Sequence, residues 1–250
     1  MDRKKRADAI VKMNADNPTY INSNINFAPF QGIFRTSGIV TVPNFLEMTY
    51  ANQYYQFLNK EMDENWWHLS AFDGKEKIII PNTEENQEKI QEAKNLANQV
   101  FKDDQFSYAF YRTYNNHFPE CDCLECDFRK KAKSQKFIDV LNKITGLNLV
   151  KNNELFVSRY GSNCFLSVHN DNGNGRIAFI INLTKDWKPQ YGGNFHLLST
   201  DRTNIRKAVT PTFNSLTVFK VPEETGIPHY LSHVVSTIDK YRYAITGWFS

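Results

Sequence analysis

No apolar run in the 250-residue chain approaches the roughly 20 residues that a membrane-spanning helix needs. Glycine (11) and proline (9) are scarce, which excludes collagen-like and linker-dominated architectures. Charge of one sign is missing too. With 30 basic and 27 acidic residues the formal net charge is +3, so neither nucleic acid nor a membrane surface is expected as partner. The one basic run, Met1-Asp2-Arg3-Lys4-Lys5-Arg6, reads as the solvated start of a helix. The polar residues that follow it cannot form a signal-peptide core. Of only four cysteines, three are packed into residues 121–126, unlike a secreted disulfide framework. A reducing cytoplasm is the expected compartment.

What is present suits a folded enzyme: 41% hydrophobic and 14% aromatic residues, enough for one large core. A single domain over 1–250 is expected because no linker divides the chain. Its first part, to about residue 150, carries helical patterns. Asn44 is placed to cap a helix running to about Met62, Thr83 begins another reaching Phe101, and Ser134 a third that Gly146 ends. From Leu155 the period changes to short β-branched and aromatic runs: 155–160, 165–168, 177–183, 194–198, 215–221, Val234–Thr237 and 241–249. Strands of this length and spacing indicate an antiparallel sandwich or barrel. The class is mainly β, with 151–250 as the β-rich core and 1–150 as helical and β support.

His169-Asn170-Asp171 directly follows the 165–168 strand. In an extended chain positions i and i+2 face one side, so His169 and Asp171 can meet at one ion while Asn170 points away. A third ligand must come from a distant strand, and His233, heading the expected Val234–Thr237 strand, is the candidate. Two imidazoles and one carboxylate leave coordination positions open, as in non-haem Fe(II) oxygenases. By itself a His-x-Asp is weak, and a turn histidine is the plainer alternative. Arg242 lies nine residues after His233, inside Tyr241-Arg242-Tyr243-Ala244-Ile245-Thr246-Gly247-Trp248-Phe249. Arginine on an otherwise buried strand is costly unless its charge is matched, either by an internal acid or by a bound dicarboxylate.

The ordered set His169-Asn170-Asp171-Asn172-Gly173-Asn174-Gly175-Arg176, Asn182-Leu183-Thr184, Gly192-Gly193, His233 and Arg242 to Trp248 resembles the prolyl 4-hydroxylase-like 2-oxoglutarate oxygenases. The nearest likeness is to the bacterial proline-hydroxylase family related to the oxygen-sensing prolyl hydroxylases. The match is dense over 155–250 and thinner over 106–149. It implies a double-stranded β-helix (jelly roll, cupin-like) buttressed by N-terminal helices. It implies His169, Asp171 and His233 as catalytic iron ligands, with Arg242, Tyr160 and Thr246 as 2-oxoglutarate contacts. Trp248 and Arg176 fall near the substrate. The cofactors implied are Fe(II), 2-oxoglutarate and O2, with ascorbate as a candidate reductant. Asn182 stands where oxygen sensors carry a second tyrosine, which speaks against that role, and Asp171 speaks against the halogenase relatives.

The implied activity is hydroxylation of a C–H bond, foremost in a prolyl residue of a peptide or protein, with release of succinate and CO2. A free amino acid or other small metabolite is the rival substrate. A metal- or ligand-sensing jelly roll without turnover is the rival class. His117, Cys121, Cys123 and Cys126 could form a Cys3His zinc site, although the tight spacing also fits an ordered loop or a redox pair. Trp66-Trp67-His68 reads as a packing surface, Tyr108, Tyr111 and Tyr114 as a flanking strand, and His229 as a loop residue. The Thr200–Pro211 stretch, with Arg202, Arg206 and Lys207, reads as a loop.

Overall fold

Residues Ile177 to Asn182 are buried at every position, and a strand with no solvent face needs a layer on each side. Both layers are present in the computed structural model, which describes residues 20–114, 121–222 and 227–250. One antiparallel sheet contains β1 (Ile39–Val42), β2 (Trp67–Phe72), β3 (Lys77–Pro81), β4 (Tyr108–Thr113), β5 (Asn152–Tyr160), β6 (Phe165–His169), β7 (Ile177–Asn182), β8 (Phe195–Leu198), β9 (Ile205–Val209), β10 (Ser215–Lys220), β11 (His229–Leu231) and β12 (Arg242–Phe249). The helices are α1 (Ala28–Ser37), α2 (Met48–Gln56), α3 (Gln87–Lys102), α4 (Leu124–Ala132) and α5 (Gln135–Thr145).

The strand order is β1-β10-β7-β12-β5-β4-β6-β11-β8-β9, with β2 beside β4 and β3 beside β2. Strand β4 turns the corner: Tyr111 and Arg112 pair with β5, whereas Tyr108 and Ala109 pair with β6. The sheet thereby curls into a half-barrel of the jelly-roll type, its two walls facing each other. Phe195 of β8 and Phe219 of β10 meet across the interior with ring centroids 4.9 Å apart.

The outer face of the larger wall is sealed by helices. Phe137 of α5 is fully buried and packs on Phe249 (5.8 Å), Phe179 (5.7 Å), Phe128 (5.9 Å) and Phe45 (6.0 Å). Burying such a ring stabilises by about 1.5–3 kcal/mol from area alone. The inner face is unusually polar for a barrel. By strand alternation and register, Arg242 and Thr246 of β12, Asn182 of β7, and Ser215 and Thr217 of β10 share it.

Several expectations change. β1, not expected as a strand, extends the sheet beyond β10, whereas β4 is the flanking strand expected around Tyr108 and Tyr111. Asn44 caps no helix. It sits at φ 50° in a turn, and Phe45-Leu46 is pinned extended by buried Asn214, which takes the Leu46 N–H (2.8 Å) and donates to the Leu46 carbonyl (2.8 Å). The helix therefore starts only at Met48. Val234–Thr237 is not a strand; its neighbour β11 is. The Val234 and Val235 N–H groups bond to the carbonyls of Cys164 and Tyr191, in loops rather than in a ladder. Residues 205–209, expected in a loop, form β9 on β8. The helix after Ser134 ends at Gly146 in the left-handed conformation, as expected. Trp67 is fully buried and serves packing. Met1–Arg6 and His117 lie outside the described residues. Among the described residues no helix is long and apolar enough to cross a membrane.

Candidate active site

His169 ends β6, and its cross-strand partner on β11 is His229. Direct register opposition brings side chains close, and the two imidazole centroids lie 4.2 Å apart. Asp171, two residues beyond His169, turns its carboxylate between them: Oδ1 is 3.4 Å from His169 Nε2 and Oδ2 is 3.4 Å from His229 Nε2. One donor atom from each residue lies within 4.8 Å of the others.

The backbone selects which nitrogen each ring presents. His169 Nδ1 lies 3.0 Å from the Ser167 carbonyl and His229 Nδ1 2.8 Å from the Ile227 carbonyl. A carbonyl only accepts, so each Nδ1 donates its proton there and each Nε2 is directed at the carboxylate. Burial and then the neighbouring His169 lower the His229 pKa from the usual imidazole value, against the opposing pull of Asp171. Burial alone would raise the Asp171 carboxyl, but the two imidazoles bonded to it outweigh burial and hold it well below the carboxylate range. Two imidazoles and one carboxylate are the donor set that Fe(II) takes in facial-triad sites.

His233 is not in this cluster, which corrects the expectation that it is the third ligand. Its ring stacks on Phe165 (4.0 Å, 12°), and its Nε2 meets Asn98 Oδ1 of α3 at 3.0 Å. The misplacement follows from the missing Val234–Thr237 strand. His229 had no sequence signal beyond being a histidine after Pro228, since β11 is only three residues long.

Arg242 begins β12, opposite Tyr160 at the end of β5. Its guanidinium is buried, lies 5.3 Å from the Tyr160 ring centroid and donates from Nη2 to Asn182 Oδ1 at 3.2 Å. Its Nε has no partner, and among the described residues no carboxylate lies within ion-pair distance. Burial lowers its pKa from 12.5 to about 10. Arg159, adjacent on the outer face, makes the contrast: it is equally buried, but Glu64 holds it with two bonds of 2.8 and 2.5 Å. A buried guanidinium without an acid is matched in charge by a carboxylate ligand.

Tyr160 is buried and stacks on Phe110 (5.0 Å, 12°). Thr246 is half-buried on the inner face between Arg242 and Trp248. Trp248 packs against Phe156 (5.9 Å), and its buried Nε1 lacks a partner. Arg176 is exposed, and its Nη1 donates to the Asn148 carbonyl (3.0 Å) rather than into the cluster. Gly192 is required by packing: a Cβ there would lie 1.9 Å from the His233 carbonyl oxygen, at φ +74°.

Residues 155–250 match the protein family described as the 2OG-Fe(II) oxygenase superfamily. The matched segment contains every residue of the cluster, together with Arg242, Tyr160 and Asn182. Among curated proteins, the chain is 30% identical over 156 residues to prolyl 3-hydroxylase OGFOD1 of Mus musculus, covering 57% of this chain and 28% of that protein. It is 32% identical over 120 residues to prolyl 3-hydroxylase OGFOD1 of Xenopus laevis, covering 46% and 23%. The chain thus spans about a quarter of the length of these relatives. At the level of fold it resembles a Pseudomonas putida prolyl-4-hydroxylase (TM-score 0.58, 17% identity, 89% of this chain and 97% of that one). It also resembles a Trichoplax adhaerens prolyl hydroxylase solved with a hypoxia-inducible-factor peptide (TM-score 0.52, 16% identity, 88% and 86%).

Proposed function

We propose that this chain is an Fe(II)- and 2-oxoglutarate-dependent dioxygenase that hydroxylates a prolyl residue in a peptide or protein, releasing succinate and CO2. The observation that carries the proposal is Arg242: a buried cation without an acid, in the same interior as the His169–Asp171–His229 cluster. A catalytically idle or structural jelly roll has no use for that cost. Prolyl substrates are favoured by the two curated relatives, both prolyl 3-hydroxylases.

His169, Asp171 and His229 would hold the iron through two Nε2 atoms and one carboxylate. When bound, Fe(II) supplies the redox chemistry that couples decarboxylation of 2-oxoglutarate to oxygen insertion into a C–H bond. The Ser167 and Ile227 carbonyls keep both imidazoles in the ligating tautomer. Arg242 receives the far carboxylate of 2-oxoglutarate in two charge-assisted bonds, steadied by Asn182 from the side. Tyr160 and Phe110 wall that end and exclude water, which strengthens the ion pair. At the Trp248 end of β12 the orphaned indole N–H is suited to donate to a substrate carbonyl.

The test is succinate release by the purified chain with Fe(II), 2-oxoglutarate and O2, across proline-containing peptides and free amino acids. Peptide-stimulated turnover with a product one oxygen heavier is expected. Stimulation by free amino acids alone overturns the protein-substrate assignment, and turnover no higher than that of His229→Ala overturns the enzyme.

A further inference from the structure

A second group of potential ligands lies outside the active site. Cys121, Cys123 and Cys126 bring their three sulfurs within 4.8 Å of one another. Cys121 is buried, and the other two are half-buried. The local chain explains the convergence: Cys123 occupies the N-cap of α4 at an extended ψ of 160°, and Cys126 lies in the first turn of that helix. A Cys-x-Cys-x-x-Cys spacing thus folds three side chains onto one point at a helix N-terminus, where negative charge is stabilised.

We propose that Cys121, Cys123 and Cys126 form a thiolate site for a zinc ion, with solvent water as its fourth ligand. Zinc–sulfur bonds of about 2.3 Å in a tetrahedron place sulfurs roughly 3.8 Å apart, within the separation found here. The donor sets also differ: three sulfurs suit a thiophilic metal such as zinc, whereas His169, Asp171 and His229 suit Fe(II).

The site would brace the oxygenase core rather than take part in its chemistry. From α4, Glu125 accepts from Thr113 Oγ1 of β4 (2.6 Å), and Arg129 donates to the Leu155 carbonyl of β5 (2.6 Å). Thr113 Oγ1 in turn takes the Val157 N–H at 3.2 Å. Fixing the start of α4 therefore fixes the ends of the two strands that carry Phe110 and Tyr160.

Cobalt(II) titration of the reduced, metal-free full chain tests this without mutation. A sulfur-to-cobalt charge-transfer band, displaced by one equivalent of zinc, is expected, because a histidine–carboxylate site cannot produce one. In a His169→Ala/His229→Ala background, elemental analysis should find about one zinc per chain, and Cys123→Ser/Cys126→Ser should lose it. Zinc removal should speed amide exchange over 121–132 while leaving 165–171 unchanged. Absence of the band in folded protein, zinc content unaffected by the serine substitutions, or a disulfide among these cysteines in freshly isolated protein would overturn the proposal.

Discussion

Replacing Arg242 by methionine should make the ligand-free protein more stable and abolish its grip on 2-oxoglutarate. Lowering the guanidinium pKa from 12.5 to about 10 means that burial disfavours the charged form by about 3 kcal/mol. The native pKa of this base is depressed, so at neutral pH the folded state carries that cost and the unfolded chain does not. Methionine keeps the packing volume and removes the charge. The loss of the bond to Asn182 Oδ1 returns about 1 kcal/mol. A net gain of about 2 kcal/mol corresponds to a rise of roughly 4–8 °C in Tm for a chain of this size. Binding moves the other way, because truncating one side of a buried charge pair costs about 2–5 kcal/mol, or roughly 30- to 4,000-fold in Kd. Thermal melts of the apo chain, paired with calorimetric titration of 2-oxoglutarate in the presence of a redox-silent divalent metal, measure both. An unchanged Kd refutes Arg242 as the carboxylate anchor, and a lower apo Tm refutes the stored desolvation cost.

His229→Ala should lose stoichiometric iron and succinate formation, whereas His233→Ala should keep both and lose only about 1–2 kcal/mol from the Asn98 bond and the Phe165 stack; iron analysis and melting curves separate the two. Burial also depresses the pKa of His233, so native and unfolded states are alike above about pH 6.5. Below that pH the unfolded chain takes up a proton that the native site resists, so stability falls with acidity until the native pKa is reached. His233→Gln should flatten that slope in urea titrations run from pH 5 to 7, and an identical slope in the variant excludes this origin.

The oxygenase motif was readable because its chemistry is local. His169 and Asp171 are two residues apart on one strand end, and strand alternation alone lets both reach one ion. Arg242 announced itself as a charge inside an apolar strand. The long strands β5, β7, β10 and β12 carry enough β-branched and aromatic residues to declare their period. By contrast β11 has three residues, less than two periods of alternation, and the neighbouring Val234-Val235 offered a stronger but false β signal. Asn44 misled in the same way: its cap chemistry is real, but long-range bonds from Asn214 hold the next two residues extended.

Local pattern in the chain therefore determined the class of fold, the His-x-Asp half of the candidate metal site and the presence of a buried arginine that needs a partner. Tertiary structure alone decided which histidine completes the set, because that depends on the cross-strand register of His229 with His169. It alone showed that Glu64 neutralises Arg159 whereas Arg242 is left without an acid, and that three cysteines converge at the start of α4. Each of these is a statement about distance between residues far apart in the chain or brought together by a turn. Spacing in sequence bounds such distances, and only the packed fold sets them.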